Sequence, residues 1–117
     1  MIGGCMSRVI TSIDQRGDAT VVRLAGKIDM SRSPDLHKAM LDLCEQKPAH
    51  VVLQLAAVSY LDSSGVGTLV EVARRVKAYS GKLTLVAPND RVRSIFEVTR
   101  LDRFFNIAAT EEEVLPQ

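Results

Sequence analysis

The residues that could do chemistry in this chain are concentrated in one short turn, Asp62-Ser63-Ser64-Gly65, which carries an acid and two hydroxyls. Residues 51–55 before it are almost wholly apolar, as in a buried strand, and the apolar residues after it recur at helical spacing. The turn therefore predicts a helix start with Ser63 at or near the N-terminus. A hydroxyl there can cap free backbone amides, and the helix dipole favours negative charge. The pattern indicates a helix cap, a hydroxyl that can carry a phosphate, or both.

Little else in the chain resembles a catalytic site, which favours a protein that is not an enzyme. A serine nucleophile needs a neighbouring base and a group that orients this base. His37 is predicted on the polar face of a helix and His50 at the entry to a strand, so neither is placed as that base. Gly65-Val66-Gly67 lacks the spacing of a phosphate-binding loop. We expect no catalytic residue, no cofactor and no metal, while nucleotide binding at the helix start stays open.

Composition argues against several other classes of protein. The 117 residues carry a formal net charge of +1 and only 4% aromatic residues, with no Trp, which argues against nucleic acid or an anionic membrane surface as a partner. Four arginines among balancing acids are expected to form a solvated face: Arg91, Arg93, Arg100 and Arg103. No run reaches the roughly 18 apolar residues of a membrane-spanning helix. We expect a cytoplasmic protein with no direct contact to DNA or membrane.

The periodicity of apolar residues predicts an α/β fold. The predicted strands span residues 8–14, 19–25, 50–55, 82–87 and 104–107, and the predicted helices span 33–46, 64–79, 91–99 and a segment that begins at residue 110. Gly26 is expected to end the second strand, and Ser33 to cap the first helix. The expected sheet is mixed, with four to five strands, an antiparallel N-terminal hairpin and about four helices packed mainly on one face. Residues 1–7 are expected to be a flexible segment before one domain, 8–117.

The run Tyr60-Leu61-Asp62-Ser63-Ser64-Gly65-Val66-Gly67 resembles the signature of the bacterial anti-sigma factor antagonists, the single-domain members of the STAS superfamily. The similarity includes Leu24-Ala25-Gly26-Lys27-Ile28-Asp29 and the predicted strands at 51–55 and 83–87, and so covers nearly the whole chain. It implies the STAS fold and a phosphoprotein that regulates transcription by partner switching.

The resemblance also implies a role for the residues around the turn. Ser63 corresponds to the serine that is phosphorylated by a partner that is both an anti-sigma factor and a serine kinase of the GHKL ATPase type. The unphosphorylated form binds this kinase and frees the sigma factor. After phosphorylation, a serine phosphatase restores the unphosphorylated form. Asp29 corresponds to an acid that lies beside the phosphorylated serine. The implied partner-binding residues are Asp29, Tyr60, Asp62, Ser63, Ser64 and Gly65.

Several alternatives stay open from the sequence. Local chemistry alone allows Ser64 as the acceptor of the phosphate in place of Ser63. Lys27 stands where the family often has an acid, which leaves the identity of the partner open. A STAS-like chain can also serve as a non-catalytic interaction module in a stressosome-like assembly or in a lipid-transport ABC system. A weak homodimer is a further option.

Overall fold

Within residues 9–115, five strands form one mixed sheet, in the order in which they occur along the chain. The computed structural model describes residues 9–115, so the predicted flexible segment 1–7 lies outside the described residues. The strands are β1 (Ile10–Arg16), β2 (Ala19–Ile28), β3 (His50–Leu61), β4 (Lys82–Val86) and β5 (Asn106–Ala108). The helices are α1 (Ser33–Cys44), α2 (Ser63–Ala78), α3 (Asp90–Val98) and the 3-10 helix Glu111–Glu113. β1 and β2 pair antiparallel and the other neighbours pair parallel, which confirms the predicted mixed sheet with its N-terminal hairpin.

The two strands β2 and β3 are longer than the sequence predicts. The prediction that Gly26 ends β2 is wrong, because Gly26 takes φ +84 beside a register shift and the strand continues to Ile28. β3 likewise continues past residue 55 to Leu61, which pairs with Ile28. The extension includes exposed residues, so it lacks the continuous apolar run that marks the first half of β3. As a result, the two strands end side by side.

The helices cover one face of the sheet, and this face holds most of the core. Val51 and Leu53 of β3 belong to the same buried cluster as Leu36 of α1, Leu69 of α2 and Phe96 of α3. Each helix therefore docks through its own apolar stripe, as its sequence pattern predicts. Within residues 9–115, each helix is too short or too polar to cross a lipid bilayer.

The end of the chain covers part of the opposite face. The buried members of the smaller cluster on this face are Ala19, Val21, Val52, Val86 and Leu115. Glu111 is anchored nearby, because its carboxylate accepts hydrogen bonds from Arg23 Nη2 at 3.0 Å and from Gln54 Nε2 at 2.8 Å. These contacts hold the last described residues against the sheet.

The prediction of a fourth helix from residue 110 is wrong, since residues 9–115 contain three α-helices and the single turn Glu111–Glu113. The side chain of Thr110 makes no capping hydrogen bond. The anchoring of Glu111 and the burial of Leu115 direct the segment onto the sheet, so tertiary contacts override the local capping pattern.

The Glu111 anchor leads to a prediction about stability. Glu111→Ala should lower the free energy of unfolding by about 1–2 kcal/mol, because it removes two hydrogen bonds to a partly buried charge. Asp14→Ala removes the other ion pair of Arg23, whose Asp14 side chain is 50% exposed, and should cost about 0.5 kcal/mol or less. Urea unfolding at neutral pH measures both variants. An equal decrease in the free energy of unfolding in both variants would show that the C-terminal segment is not anchored through Glu111.

Candidate functional site

The candidate site lies where β2 and β3 end and where α1 and α2 begin. Because β2 and β3 are parallel neighbours, their carboxyl ends meet at one edge of the sheet. The Asp62 amide donates a hydrogen bond to the Ile28 carbonyl at 3.3 Å, which joins the two turns directly. Residues distant in sequence, 29–33 and 62–65, are thereby brought together.

Asp62 caps α2 with its side chain. Its Oδ1 atom accepts hydrogen bonds from the Ser64 amide at 2.9 Å, the Gly65 amide at 3.1 Å and the Ser64 hydroxyl at 2.6 Å. The bond from the Ser64 hydroxyl is the main reason why the pKa of Asp62 lies below its ordinary value of 3.8, and the negative charge of Asp29 acts in the opposite direction. The cap predicted at this helix start therefore exists, but a carboxylate provides it rather than the Ser63 hydroxyl.

Ser63 is the first residue of α2, and its side chain is exposed. Among residues 9–115, no hydrogen bond engages its hydroxyl, because Asp62 already satisfies the amides that a serine cap would bind. The hydroxyl can therefore be reached from solvent. It lies at the positive end of the α2 dipole, where the helix tolerates an added anion.

Ser64 is held in a hydrogen-bonded chain that the sequence did not reveal. Its hydroxyl lies 2.9 Å from the hydroxyl of Ser33, the first residue of α1, and donates its proton to Asp62. Ser33 must then be the donor to Ser64, so the chain runs from Ser33 through Ser64 to the carboxylate. The prediction that Ser33 caps α1 is wrong: the cap position is Arg32, and the buried Ser33 side chain links the two helices instead.

Asp29 organises the turn between β2 and α1. Its carboxylate accepts hydrogen bonds from the Ser31 amide and hydroxyl at 3.1 and 2.8 Å and from the Arg32 amide at 3.2 Å. Arg32 Nη1 forms an ion pair with the second oxygen at 3.3 Å. The Ser31 hydroxyl contributes most to lowering the pKa of Asp29 from 3.8. Ser31 and Arg32 are site residues that the sequence did not indicate, although Asp29 and Arg32 stand three positions apart, a spacing at which ion pairs form.

Gly65 is buried where α2 meets the end of the sheet. A Cβ atom at this position would lie 2.5 Å from Leu61 Cδ1 and 2.7 Å from the Ile28 carbonyl oxygen. Only a residue without a side chain allows this close approach of the helix. Gly65 therefore sets the distance between α2 and the strand ends, and an effect of Gly65 on a partner would have to act through the position of α2.

Two surface features adjoin the turn. An open groove of about 630 Å³ lies between the starts of α1 and α2, and its lining includes the highly exposed Met30 together with Ser33, His37 and Ser64. A more polar pocket of about 320 Å³ is lined by Lys27, Asp29, Ser59, Tyr60 and Arg91. The predicted partner-binding residues Asp29 and Tyr60 thus share one pocket with the unusual Lys27.

Neither histidine is bonded to a serine of this site. His50 Nε2 lies 2.8 Å from the Thr84 hydroxyl in the sheet, and burial is the main cause of its lowered pKa. His37 lines the groove, but among residues 9–115 it makes no hydrogen bond with Ser63 or Ser64. The arrangement is that of a surface hydroxyl beside two carboxylates rather than of a nucleophile paired with a base.

Comparison with known proteins agrees with this geometry. A family model described as the STAS domain matches residues 11–114. The chain is 33% identical over 100 residues to the anti-sigma-B factor antagonist of Bacillus subtilis (strain 168), an alignment that covers 86% of this chain and 91% of the relative.

Solved structures show the same fold. An anti-sigma factor antagonist from Mycobacterium paratuberculosis has a TM-score of 0.81 at 28% identity, with 89% of each chain covered. The phosphorylated form of SpoIIAA, a Bacillus cell fate determinant, has a TM-score of 0.69 at 23% identity, with 88% of this chain and 95% of the other covered.

The contacts of Gly65 lead to a test with a matched control in the same helix. Gly65→Ala should lower the free energy of unfolding by about 2 kcal/mol or more, because the new methyl group overlaps Leu61 and the Ile28 carbonyl. Gly67→Ala places its Cβ where nothing lies within 4 Å and should stabilise the protein by about 0.5–1 kcal/mol. Urea unfolding separates the two variants. Equal effects of the two substitutions would contradict the packing role of Gly65.

The cap leads to a prediction about pH. Asp62→Ala should cost about 1 kcal/mol at pH 7, where the carboxylate is ionised and caps α2. Because the pKa of Asp62 is lower in the folded state than its ordinary 3.8, this stabilisation is present above pH 3.8 and is lost as the pH falls through the folded-state pKa. The stability difference between wild type and Asp62→Ala should therefore narrow at pH 3. The Ser63→Ala control should be as stable as wild type at both pH values. A stability difference between wild type and Asp62→Ala that stays constant with pH would rule out the carboxylate as the cap.

Proposed function

This chain belongs to the STAS domain family, and we propose that it is a non-catalytic anti-sigma factor antagonist that a phosphate on Ser63 switches off. In the unphosphorylated form it binds an anti-sigma factor that is also a serine kinase of the GHKL ATPase type, and this releases a sigma factor. Phosphorylation of Ser63 ends the binding, and a serine phosphatase restores it. We further propose that the protein acts in the cytoplasm, where bacterial transcription takes place.

The difference between two neighbouring serines is the observation that supports this proposal best. The Ser63 hydroxyl is exposed and carries no hydrogen bond within residues 9–115, whereas the Ser64 hydroxyl donates to Asp62 and accepts from Ser33. A kinase can therefore reach the Ser63 hydroxyl without breaking internal hydrogen bonds. Phosphorylation of Ser64 would disrupt the link between α1 and α2. Ser63 is therefore the better acceptor on physical grounds as well as by resemblance.

A phosphate on Ser63 would change the surface far more than the fold. It would add about −1.5 to −2 charges beside the carboxylates of Asp62 and Asp29. The α2 dipole offsets part of this charge, so the folded state should tolerate it. A partner surface that fits a neutral hydroxyl would meet a concentrated negative charge and lose contact with the turn. The mechanism is electrostatic repulsion at the interface, without unfolding.

The proposed partner surface combines the turn with the exposed side chains beside it. Tyr60 is 41% exposed and Met30 is 76% exposed, so each offers apolar area next to Asp29, Asp62 and Ser63. Aromatic side chains and Met are enriched in the centres of interfaces. Ser64 and Gly65 contribute by holding α2 in place rather than by presenting exposed groups.

Binding to a purified anti-sigma factor kinase from the same genome tests the switch. Ser63→Glu should weaken binding at least about tenfold, because it places negative charge at the interface, whereas Ser63→Ala should bind like wild type but resist inactivation by ATP. Gln46→Glu is the matched control, since it adds one negative charge beyond the far end of α1. All three variants should melt within about 2 °C of wild type, since exposed substitutions change stability little. Wild-type affinity in both Ser63→Glu and the phosphorylated protein would contradict the mechanism.

Mass spectrometry after incubation with the kinase and ATP identifies the acceptor. We expect the phosphate on Ser63 in wild type and in Ser64→Ala, and no phosphate in Ser63→Ala. Phosphate on Ser64 would overturn the assignment. Copurification with a transporter ATPase, with no phosphorylation by any kinase of the same genome, would instead support a role as the STAS subunit of a lipid-transport system.

A further inference from the structure

Arg32 places a positive charge beside the turn that carries Ser63. Its guanidinium lies 3.3 Å from Asp29 Oδ2, and both side chains are partly exposed, at 37% and 30%. Asp29 is close enough to Asp62 for its charge to act on the Asp62 carboxyl. The cation is therefore bound next to the two acids that a phosphate on Ser63 would join.

Two short contacts bring the turns that hold Arg32 and Ser63 together. The Ile28 carbonyl accepts a hydrogen bond from the Asp62 amide at 3.3 Å, and the Ser33 and Ser64 hydroxyls lie 2.9 Å apart. Arg32 directly precedes Ser33, and Ser63 directly precedes Ser64, so both residues flank the same hydroxyl pair. A long, partly exposed side chain at position 32 can turn from Asp29 towards position 63.

We propose that, when Ser63 is phosphorylated, the guanidinium of Arg32 leaves Asp29 and binds the phosphate. This inference rests on the proposed phosphorylation and specifies how the turn responds to it. Arg32 is then a positioning residue of the switch, which fixes the direction of the phosphate. The exchange also leaves Asp29 Oδ2 without its ion pair to Arg32.

The energies of the two pairs favour the exchange. A partly exposed ion pair such as Arg32 with Asp29 is screened by solvent and contributes little to stability. A phosphate carries up to about two charges and can take two parallel hydrogen bonds from one guanidinium, which makes it the stronger partner. Asp29 would keep its bonds from Ser31 and from the Arg32 amide, so the turn itself would stay intact.

Lys27 and Arg91 are the rival cations in this region. Both line the pocket that also contains Asp29 and Tyr60. Lys27 belongs to β2 and pairs with Tyr60, and Arg91 belongs to α3, so neither is tied to the start of α2 by the Ser33–Ser64 contact. Position favours Arg32, and removing each cation separately tests this choice.

The second pKa of the phosphate on Ser63 is the direct readout, measured by a ³¹P NMR titration. Phosphoserine is inserted at position 63 during translation, so no kinase is needed. A cation in contact with the phosphate favours the dianion and lowers this pKa, which is ordinarily about 6. We expect Arg32→Gln to raise it by about 0.5, in line with the strength of a partly exposed ion pair. Lys27→Gln and Arg91→Gln should each cause a clearly smaller rise.

The charged groups around the phosphate define the controls. Asp29 and Asp62 face it from the two turns, and His37 and Glu71 line the neighbouring groove. All samples therefore carry His37→Gln, because a histidine can change its charge near pH 6. Arg32→Lys keeps the charge but loses the paired donors, and should give a pKa between those of the parent and Arg32→Gln.

Each outcome of the titration is decisive. An equal pKa in the parent and in Arg32→Gln, or a larger rise in Lys27→Gln or Arg91→Gln, would overturn the assignment to Arg32. Because phosphoserine is inserted directly, the contact can be detected even if no anti-sigma factor binds the protein. Conversely, loss of partner binding on phosphorylation with no effect of Arg32→Gln on the pKa would leave the proposed function standing and remove only this inference.

Discussion

The close contact between the start of α2 and the paired ends of β2 and β3 is the constraint on which the site depends. Gly65 can approach the Ile28 carbonyl only because it has no side chain. The same carbonyl accepts a hydrogen bond from the Asp62 amide. This contact makes the turns after β2 and β3 neighbours. A larger residue at position 65 would move α2 away, and the two carboxylates, the hydroxyl pair and Arg32 would no longer share one surface.

One carboxylate gives two adjacent serines different chemistry. The Asp62 carboxylate accepts hydrogen bonds from the amides at the start of α2 and from the Ser64 hydroxyl. The Ser63 hydroxyl is left without a hydrogen bond within the described residues. Had Ser63 been the cap, its hydroxyl would have been engaged by backbone amides. Because Asp62 is the cap, position 63 is free to change chemically at little cost to stability. Structure and the proposed switching are thus carried by separate side chains.

The same separation appears in the charges of the site. The proposed response to a phosphate concerns long, partly exposed side chains, whereas the backbone of both turns is held by short bonds to Asp29 and Asp62. Exposed ion pairs are weak enough to exchange. Hydrogen bonds from backbone amides to a carboxylate are stronger. Such a site can alter its surface potential while the sheet and helices stay in place.

The sequence by itself determined the order of the elements, the mixed sheet and the position of the turn Asp62-Ser63-Ser64-Gly65, because apolar periodicity and helix-start residues are local properties. Other features needed partners that are distant in sequence. Ser33 resembles a helix cap until α2 places Ser64 against it, and the segment at residue 110 resembles a helix start until Arg23 and Gln54 bind Glu111. Gly26 resembles a strand end until pairing with β3 carries the strand to Ile28. Tertiary structure alone decided that the Ser64 hydroxyl also joins α2 to α1 through Ser33, because that contact links residues 31 positions apart in the sequence.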